Sequence, residues 1–154
     1  MIKMDFWLHY WRPADVERFM GTSGFKMDCT GSDQNRFHNS YKKGDIVWFH
    51  SIVDREHLLL GRLVLDQKMT KEEASEHVGR PFEASIKFDT YWVSEKPWLP
   101  IQRNVKINHI ANSLNFDPYK PLPPDYNGGF FQSIRKLTHA DHNLLQQEWD
   151  IWME

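Results

Sequence analysis

Apolar residues occupy both faces of the segment from Asp45 to Val53. Ile46, Trp48, His50 and Ile52 project one way, and Val47, Phe49, Ser51 and Val53 the other. A strand with one solvated face alternates apolar and polar residues. This one must be covered on both sides, as in a small closed or half-closed barrel. Leu58 to Asp66 repeats the pattern after the tight connection Asp54-Arg55-Glu56, which predicts an antiparallel hairpin. Asp5 to Trp11 sets Phe6, Leu8 and Tyr10 against Trp7, His9 and Trp11 and reads as a strand. From Phe82 to Trp92 a long half-exposed strand is expected, with Phe82, Ala84, Ile86, Phe88, Thr90 and Trp92 alternating with Glu83, Ser85, Lys87, Asp89 and Tyr91. Shorter strands are expected over 101–107 and 130–137.

Between the strands the pattern changes to helix and loop. Pro13 suits the first turn of a short helix from Ala14 to Met20, closed by Gly21. Thr70-Lys71-Glu72-Glu73 is a capping box that opens a helix to about Val78, broken by Gly79-Arg80-Pro81. His109 to Leu114 suits a helical turn. Thr138, with Asp141 three residues on, opens a final helix whose Leu145, Trp149 and Trp152 have the spacing of a packed face. Residues 21–41 and 117–129 read as loops. Repeats, linkers and low-complexity tracts are absent, so one mixed α+β domain over 1–154 is expected, with five to seven strands and short helices.

Composition narrows the function classes. The chain has 154 residues, 40% hydrophobic and 26% charged, which is ordinary for a folded domain. Its 14% aromatic content, with seven Trp, is high. A formal net charge of −2 argues against a protein that coats duplex nucleic acid, because that affinity comes from phosphate neutralisation. Cys29 is the one cysteine, so no internal disulfide can form and a reducing cytoplasm is expected. Nothing beside it suggests an activated thiol. No apolar run is long enough to span a bilayer, and Ile2-Lys3-Met4-Asp5 begins no signal peptide, so no membrane partner is expected. The eight His lack the spacing of a catalytic zinc site. The densest group, His139-Ala140-Asp141-His142, sits at a helix start, where Asp favours the dipole. There is no Gly-rich phosphate loop and no Gly-x-Ser-x-Gly, so neither metal nor cofactor is expected.

Several short motifs follow one another in a suggestive order. Arg36-Phe37-His38-Asn39 precedes Lys42-Lys43-Gly44-Asp45, and the following strand ends in Phe49-His50-Ser51. Leu60-Gly61-Arg62-Leu63-Val64 forms the return strand. Gln132-Ser133-Ile134-Arg135-Lys136-Leu137-Thr138 comes late, before a helix with Glu148-Trp149. This order resembles the PUA-like superfamily and, within it, the EVE domain, which has a Gly-Asp strand ending in an aromatic-His-Ser triplet and a late Ser-Val/Ile pair before a Trp-bearing helix. The family's entry motif is replaced here by Tyr10-Trp11-Arg12-Pro13, and the segments from Thr22 to Ser40 and Pro118 to Pro124 have no counterpart.

The resemblance implies a pseudo-barrel that reads a modified base, for example a methylated or hydroxymethylated one, in DNA or RNA. A base inside a duplex hides its faces, so a reader must flip it or take a single strand. Trp7, Trp11 and Trp48 are then the stacking candidates. Asn39, His50, Ser51, Gln132 and Ser133 are the edge-reading candidates, and Arg36, Lys42, Lys43, Arg135 and Lys136 the phosphate contacts. A nuclease or other effector chain would be the partner that acts on the bound strand. Each residue also has a plain structural reading: Trp48 as core, His50 as a buried histidine, Asn39 as a turn residue, Lys42-Lys43 as a solvated turn, and Gln132-Ser133 as a strand end. Two other functions stay open. One is a PUA-like, ASCH-type hydrolase using Lys42 and Glu83; the other is a protein-interaction module displaying aromatic surface.

Overall fold

The computed structural model of the chain describes residues 3–14, 26–31, 37, 39–82, 88–99, 101, 105–117 and 134–153. Six strands, β1 (Phe6–Tyr10), β2 (Cys29–Gly31), β3 (Ile46–Val53), β4 (Glu56–Thr70), β5 (Thr90–Ser94) and β6 (Arg135–Leu137), form one sheet in the order β2-β5-β4-β3-β1-β6. Among the described residues, three helices accompany it: α1 (Lys71–Val78), α2 (Asn108–Ala111) and α3 (His139–Met153). The protein is therefore mixed α+β around a six-stranded sheet. Among the described residues, no helix is long and apolar enough to cross a membrane.

The β3–β4 hairpin is the spine. The expected antiparallel pairing is present, from Ile46 opposite Val64 to Val53 opposite Glu56. Its turn places Asp54 at φ 52° and Arg55 at φ 67°, the paired left-handed conformation of a type I′ turn. Arg55 lacks the glycine that this position favours. Arg55→Gly should therefore raise stability by about 1 kcal/mol in a urea titration, since the hydrogen bond from Asn108 Nδ2 reaches the main-chain oxygen and survives. A loss of stability would mean that the arginine side chain contributes more than its backbone costs.

A bulge at Phe49/His50 puts Leu60 out of register, because Phe49 faces Gly61 while His50 faces Leu59. The slip lets Leu58, Leu60, Leu63 and Leu65 share one core while Leu59 enters the other. At the bulge, a Cβ on Gly61 would lie 2.8 Å from Met27 Cγ, so glycine permits the close approach. A second slip, between Leu65 and Gln67, hands β4 from β3 to β5.

β1 runs parallel to β3, from Phe6 opposite Ile46 to Tyr10 opposite His50. The sheet therefore has two covered faces. On the first, Phe6, Leu8, Ile46, Trp48 and Leu59 pack against Leu145 and Trp149 of α3 and against Ile107, Ile110 and Leu114. On the second, Trp7, Val47, Phe49, Leu60, Leu63 and Leu65 pack with Met27, Phe37, Tyr41 and Trp92. The two-sided burial expected of 45–53 is present along both hairpin strands.

Helix signals are realised closely. Thr70 Oγ1 accepts from Glu73 N and Glu73 Oε1 from Thr70 N, a reciprocal box that opens α1, and the helix ends at Gly79 with φ 77°. Asp141 N donates to Thr138 Oγ1 and Thr138 N to Asp141 Oδ2, which starts α3 as expected. The same carboxylate, fully buried, accepts from Asn115 N at 2.8 Å and Phe116 N at 2.9 Å. Asp141 thus ties the loop after α2 to the start of α3.

Other expectations are revised. The strand expected from Phe82 is confined, among the described residues, to Thr90–Ser94; Phe82, Phe88 and Asp89 are not in it, and 83–87 lie outside the described residues. The 101–107 segment makes only an isolated bridge, Lys106 to Leu58, flanked by hydrogen bonds Leu59 N to Val105 O and Ile107 N to His57 O. Of the 130–137 strand, Arg135–Leu137 is described and pairs antiparallel with β1. Of the helix expected from Ala14 to Met20, Ala14 is described and is helical; 15–20 and most of the 117–129 loop lie outside the described residues.

Candidate functional site

The candidate residues divide between the two faces of the sheet. Successive residues of a strand project oppositely, and the parallel register aligns Trp7 with Val47, His9 with Phe49 and Tyr10 with His50. Trp48 and His50 therefore share the α3 face with Tyr10, whereas Trp7, His9, Trp11 and Ser51 share the other. Trp11 continues the pairing by donating its backbone N–H to His50 O at 2.8 Å. One base cannot be read by His50 and Ser51 together.

Trp48 has no exposed surface, so it is not an open stacking wall but part of the core. Its Nε1 donates to His142 Nδ1 at 3.0 Å, and its ring meets Trp149 edge-on at 6.2 Å between centroids. Trp7 is also buried, and its indole is committed: Nε1 donates to Asp45 Oδ2 at 3.0 Å. Asp45 is the hub of this end of the sheet. Its fully buried carboxylate also accepts from Asp5 N at 3.0 Å, Lys42 N at 3.2 Å and Lys42 Nζ at 3.0 Å. Four donors compensate the buried charge and join β1 to the turn before β3.

The basic candidates are similarly occupied. Lys42 Nζ reaches Asp5 at 2.7 Å as well as Asp45. Burial works against its charge, but the hydrogen bonds to Asp5 and Asp45 outweigh it and raise its pKa. It is held as an ammonium, which suits neither a free phosphate contact nor a catalytic base. Lys136 lies 3.7 Å from Asp5 and 3.8 Å from Asp117. Lys43 is 72% exposed with a long 3.5 Å contact to Asp66, so it stays available to solvent. Asn39 is exposed, and Arg135 is half-buried on β6. Arg36, Glu83, Gln132 and Ser133 lie outside the described residues.

What remains at the ends of β1 and β3 is a cluster of rings. On the α3 face, His50 is 1% exposed, with Tyr10 edge-on at 5.4 Å and His57 stacked at 6.4 Å. Burial chiefly, with smaller contributions from His57 and His9, pushes the His50 pKa down to about 3. Burial also lowers His57. These imidazoles are neutral at physiological pH. On the opposite face, half-buried Trp11 stands edge-on to Phe49 at 5.5 Å, and half-buried His9 is tilted against the same ring at 5.2 Å. Ser51 Oγ is buried there and has no hydrogen-bond partner among the described residues.

No protein-family model and no curated protein matches the chain.

The second face therefore offers half-open rings and a buried hydroxyl able to donate and accept. Among the described residues, no group of three or more His, Cys, Asp or Glu is placed to hold a metal ion. Sequence reasoning missed Asp45 as a hub, and it missed His9 and Tyr10 as partners of the Phe49-His50-Ser51 triplet. The alternation of Trp7, His9 and Trp11 held the signal for His9, but the parallel β1–β3 pairing was needed to use it.

Proposed function

We propose that the chain is a binding module for a modified nucleobase, taken up on the face shared by His9, Trp11, Phe49 and Ser51. The observation that carries this reading is the buried Ser51 hydroxyl, without a hydrogen-bond partner among the described residues, on a face whose rim is half-exposed Trp11 and His9. An unmet buried hydroxyl costs about 1–3 kcal/mol, a cost that a ligand hydrogen bond offsets. Trp11 supplies stacking worth roughly 1–3 kcal/mol per base. The PUA-like, EVE-type pseudo-barrel suggested by the motifs is compatible with a six-stranded mixed sheet whose central hairpin is covered on both sides. In this reading His50 supports the site from behind as a neutral core imidazole, and Trp48 and Trp7 brace the strands. The methylated or hydroxymethylated base sits in DNA or RNA, and a nuclease or other effector chain acts on the marked strand.

The test is a panel of short oligonucleotides with methylated, hydroxymethylated or unmodified bases. One modified strand should bind stoichiometrically and be recovered with unchanged mass. Trp11→Ala should weaken that complex by about tenfold or more. Ser51→Ala should also weaken it, yet leave the free protein about 1 kcal/mol more stable, because it removes an unsatisfied hydroxyl. With Lys42 and Lys136 paired to carboxylates, the salt dependence should be shallow, corresponding to roughly two to four phosphates. Absence of binding to every strand, or a Ser51→Ala protein that loses stability while binding as before, overturns the reading.

A further inference from the structure

Arg62 projects from β4 on the α3 face, with its guanidinium carbon 5.7 Å from the centroid of the Trp48 ring. It is half-buried, and burial holds its pKa below the usual arginine value, opposed by Asp150. Among the described residues it has neither an ion-pair nor a hydrogen-bond partner. Arg80 shows the contrast: its Nε and Nη2 hold both oxygens of Asp28, at 3.1 and 2.8 Å. Asp150 does not play that part for Arg62: its charge favours the guanidinium from a distance, but no ion pair or hydrogen bond joins the two. A partly desolvated guanidinium without a bound anion is costly, and its planar fork suits an oxyanion.

His142 borders the same indole from α3. Its ring lies flat on Phe6, 4.1 Å between centroids and 11° from parallel, which fixes its orientation. Nδ1 accepts from Trp48, so the ring proton of the neutral imidazole sits on Nε2. That Nε2–H has no hydrogen-bond partner among the described residues. Burial first, then the charges of Arg62 and His139, push the His142 pKa down to about 4, so it donates without becoming charged. His139, exposed, stands edge-on to His142 at 6.2 Å.

We propose that Arg62 and His142, with His139 at the rim, form a binding site for a phosphate group beside the Trp48 ring. Arg62 supplies the charge and the paired donors, and His142 a fixed neutral N–H. The site lies on the opposite face of the sheet from Trp11 and Ser51 and does not depend on the base-binding reading.

The test follows the Trp48 indole N–H resonance of the whole chain, assigned by its disappearance in Trp48→Phe. One arm adds inorganic phosphate and a second adds a base-free deoxyribose-phosphate oligomer, each against chloride at matched ionic strength. A saturating shift is expected, weakened about tenfold or more by Arg62→Gln. Tighter saturation by the oligomer assigns the site to a nucleic-acid backbone, and tighter saturation by inorganic phosphate assigns it to a small phosphate. The wild-type titration stands without the variant: no saturating response to either arm, or the same response to chloride, overturns the site. A folded Arg62→Gln protein that binds phosphate as before overturns it equally.

Discussion

Replacing Trp48 with alanine is expected to cost about 3–5 kcal/mol of folding stability, the usual range for removing a buried large aromatic side chain. The ring is fully buried between β3 and α3, with Trp149 edge-on against it and Arg62 beside it. Collapse around the vacancy would be limited, because Leu8, Leu59, Leu145 and Trp149 sit on elements fixed by sheet pairing and by the Asp141 cap. Two effects add in the alanine variant and separate in a milder one. Trp48→Phe keeps most of the ring volume but leaves His142 Nδ1 without its donor, so it should cost about 1 kcal/mol for the hydrogen bond plus a smaller packing loss. Urea midpoints read both. An alanine variant within about 1 kcal/mol of wild type would show that the ring does not carry the α3 face, and would return Trp48 to the list of stacking candidates.

Hydrophobic patterning located the central strands because burial on both faces leaves a direct mark on the sequence. Ile46 to Val53 and Leu58 to Asp66 could be assigned from apolar residues on both faces, and the interval between them required a hairpin. Local capping chemistry was equally visible, since Thr70–Glu73 and Thr138–Asp141 are contacts three residues apart. The parallel pairing of β1 with β3 was not visible. It joins residues forty apart in sequence, from Phe6 opposite Ile46 onward, and no turn signal specifies it. The roles of the charged residues depend on that pairing. Asp45 looks like half of a Gly-Asp turn until β1 arrives beside it and presents Trp7 Nε1 and Asp5 N. Lys42 looks like a free surface cation until the same arrival brings Asp5 to it.

The grouping of candidate site residues failed for a related reason. Phe49, His50 and Ser51 are neighbours along the chain, and proximity suggested a shared pocket. Strand geometry turns His50 and Ser51 to opposite sides, so their partners differ: Tyr10 and His57 for one, Trp11 and His9 by way of Phe49 for the other. The divided arrangement changes what mutagenesis should report. His50 substitutions should lower stability, whereas Ser51→Ala should weaken binding while raising stability.

The His50 effect should be largest in acid. In an unfolded chain a histidine titrates near 6.5, whereas folded His50 is held down to about 3, chiefly by burial. The unfolded state therefore takes up a proton first. Stability is full above pH 6.5, falls as pH drops below it by about 1.4 kcal/mol per pH unit for this group, and stops falling on its account near pH 3. Integrated over that window, His50 alone withdraws on the order of 5 kcal/mol, a large share of the stability of an ordinary domain. His57, also lowered by burial, and His142, lowered to about 4, act in the same direction; half-exposed His142 contributes less than its shift implies because solvent screens it. Denaturant midpoints measured from pH 7.5 to 4 should therefore decline steeply, beginning just below neutrality. His50→Phe keeps a flat ring between Tyr10 and His57 and removes the titration, so its stability should fall more gently over the same interval, with about one proton fewer taken up on unfolding. The imidazole itself gives an independent reading, since its carbon-bound proton resonances in the native protein should not move between pH 7 and 4. A His50 that titrates near 6.5 in the folded chain, or a His50→Phe protein with the wild-type pH slope, would show that water or a charge partner reaches the ring and that it is not the neutral core imidazole on which the closed α3 face depends.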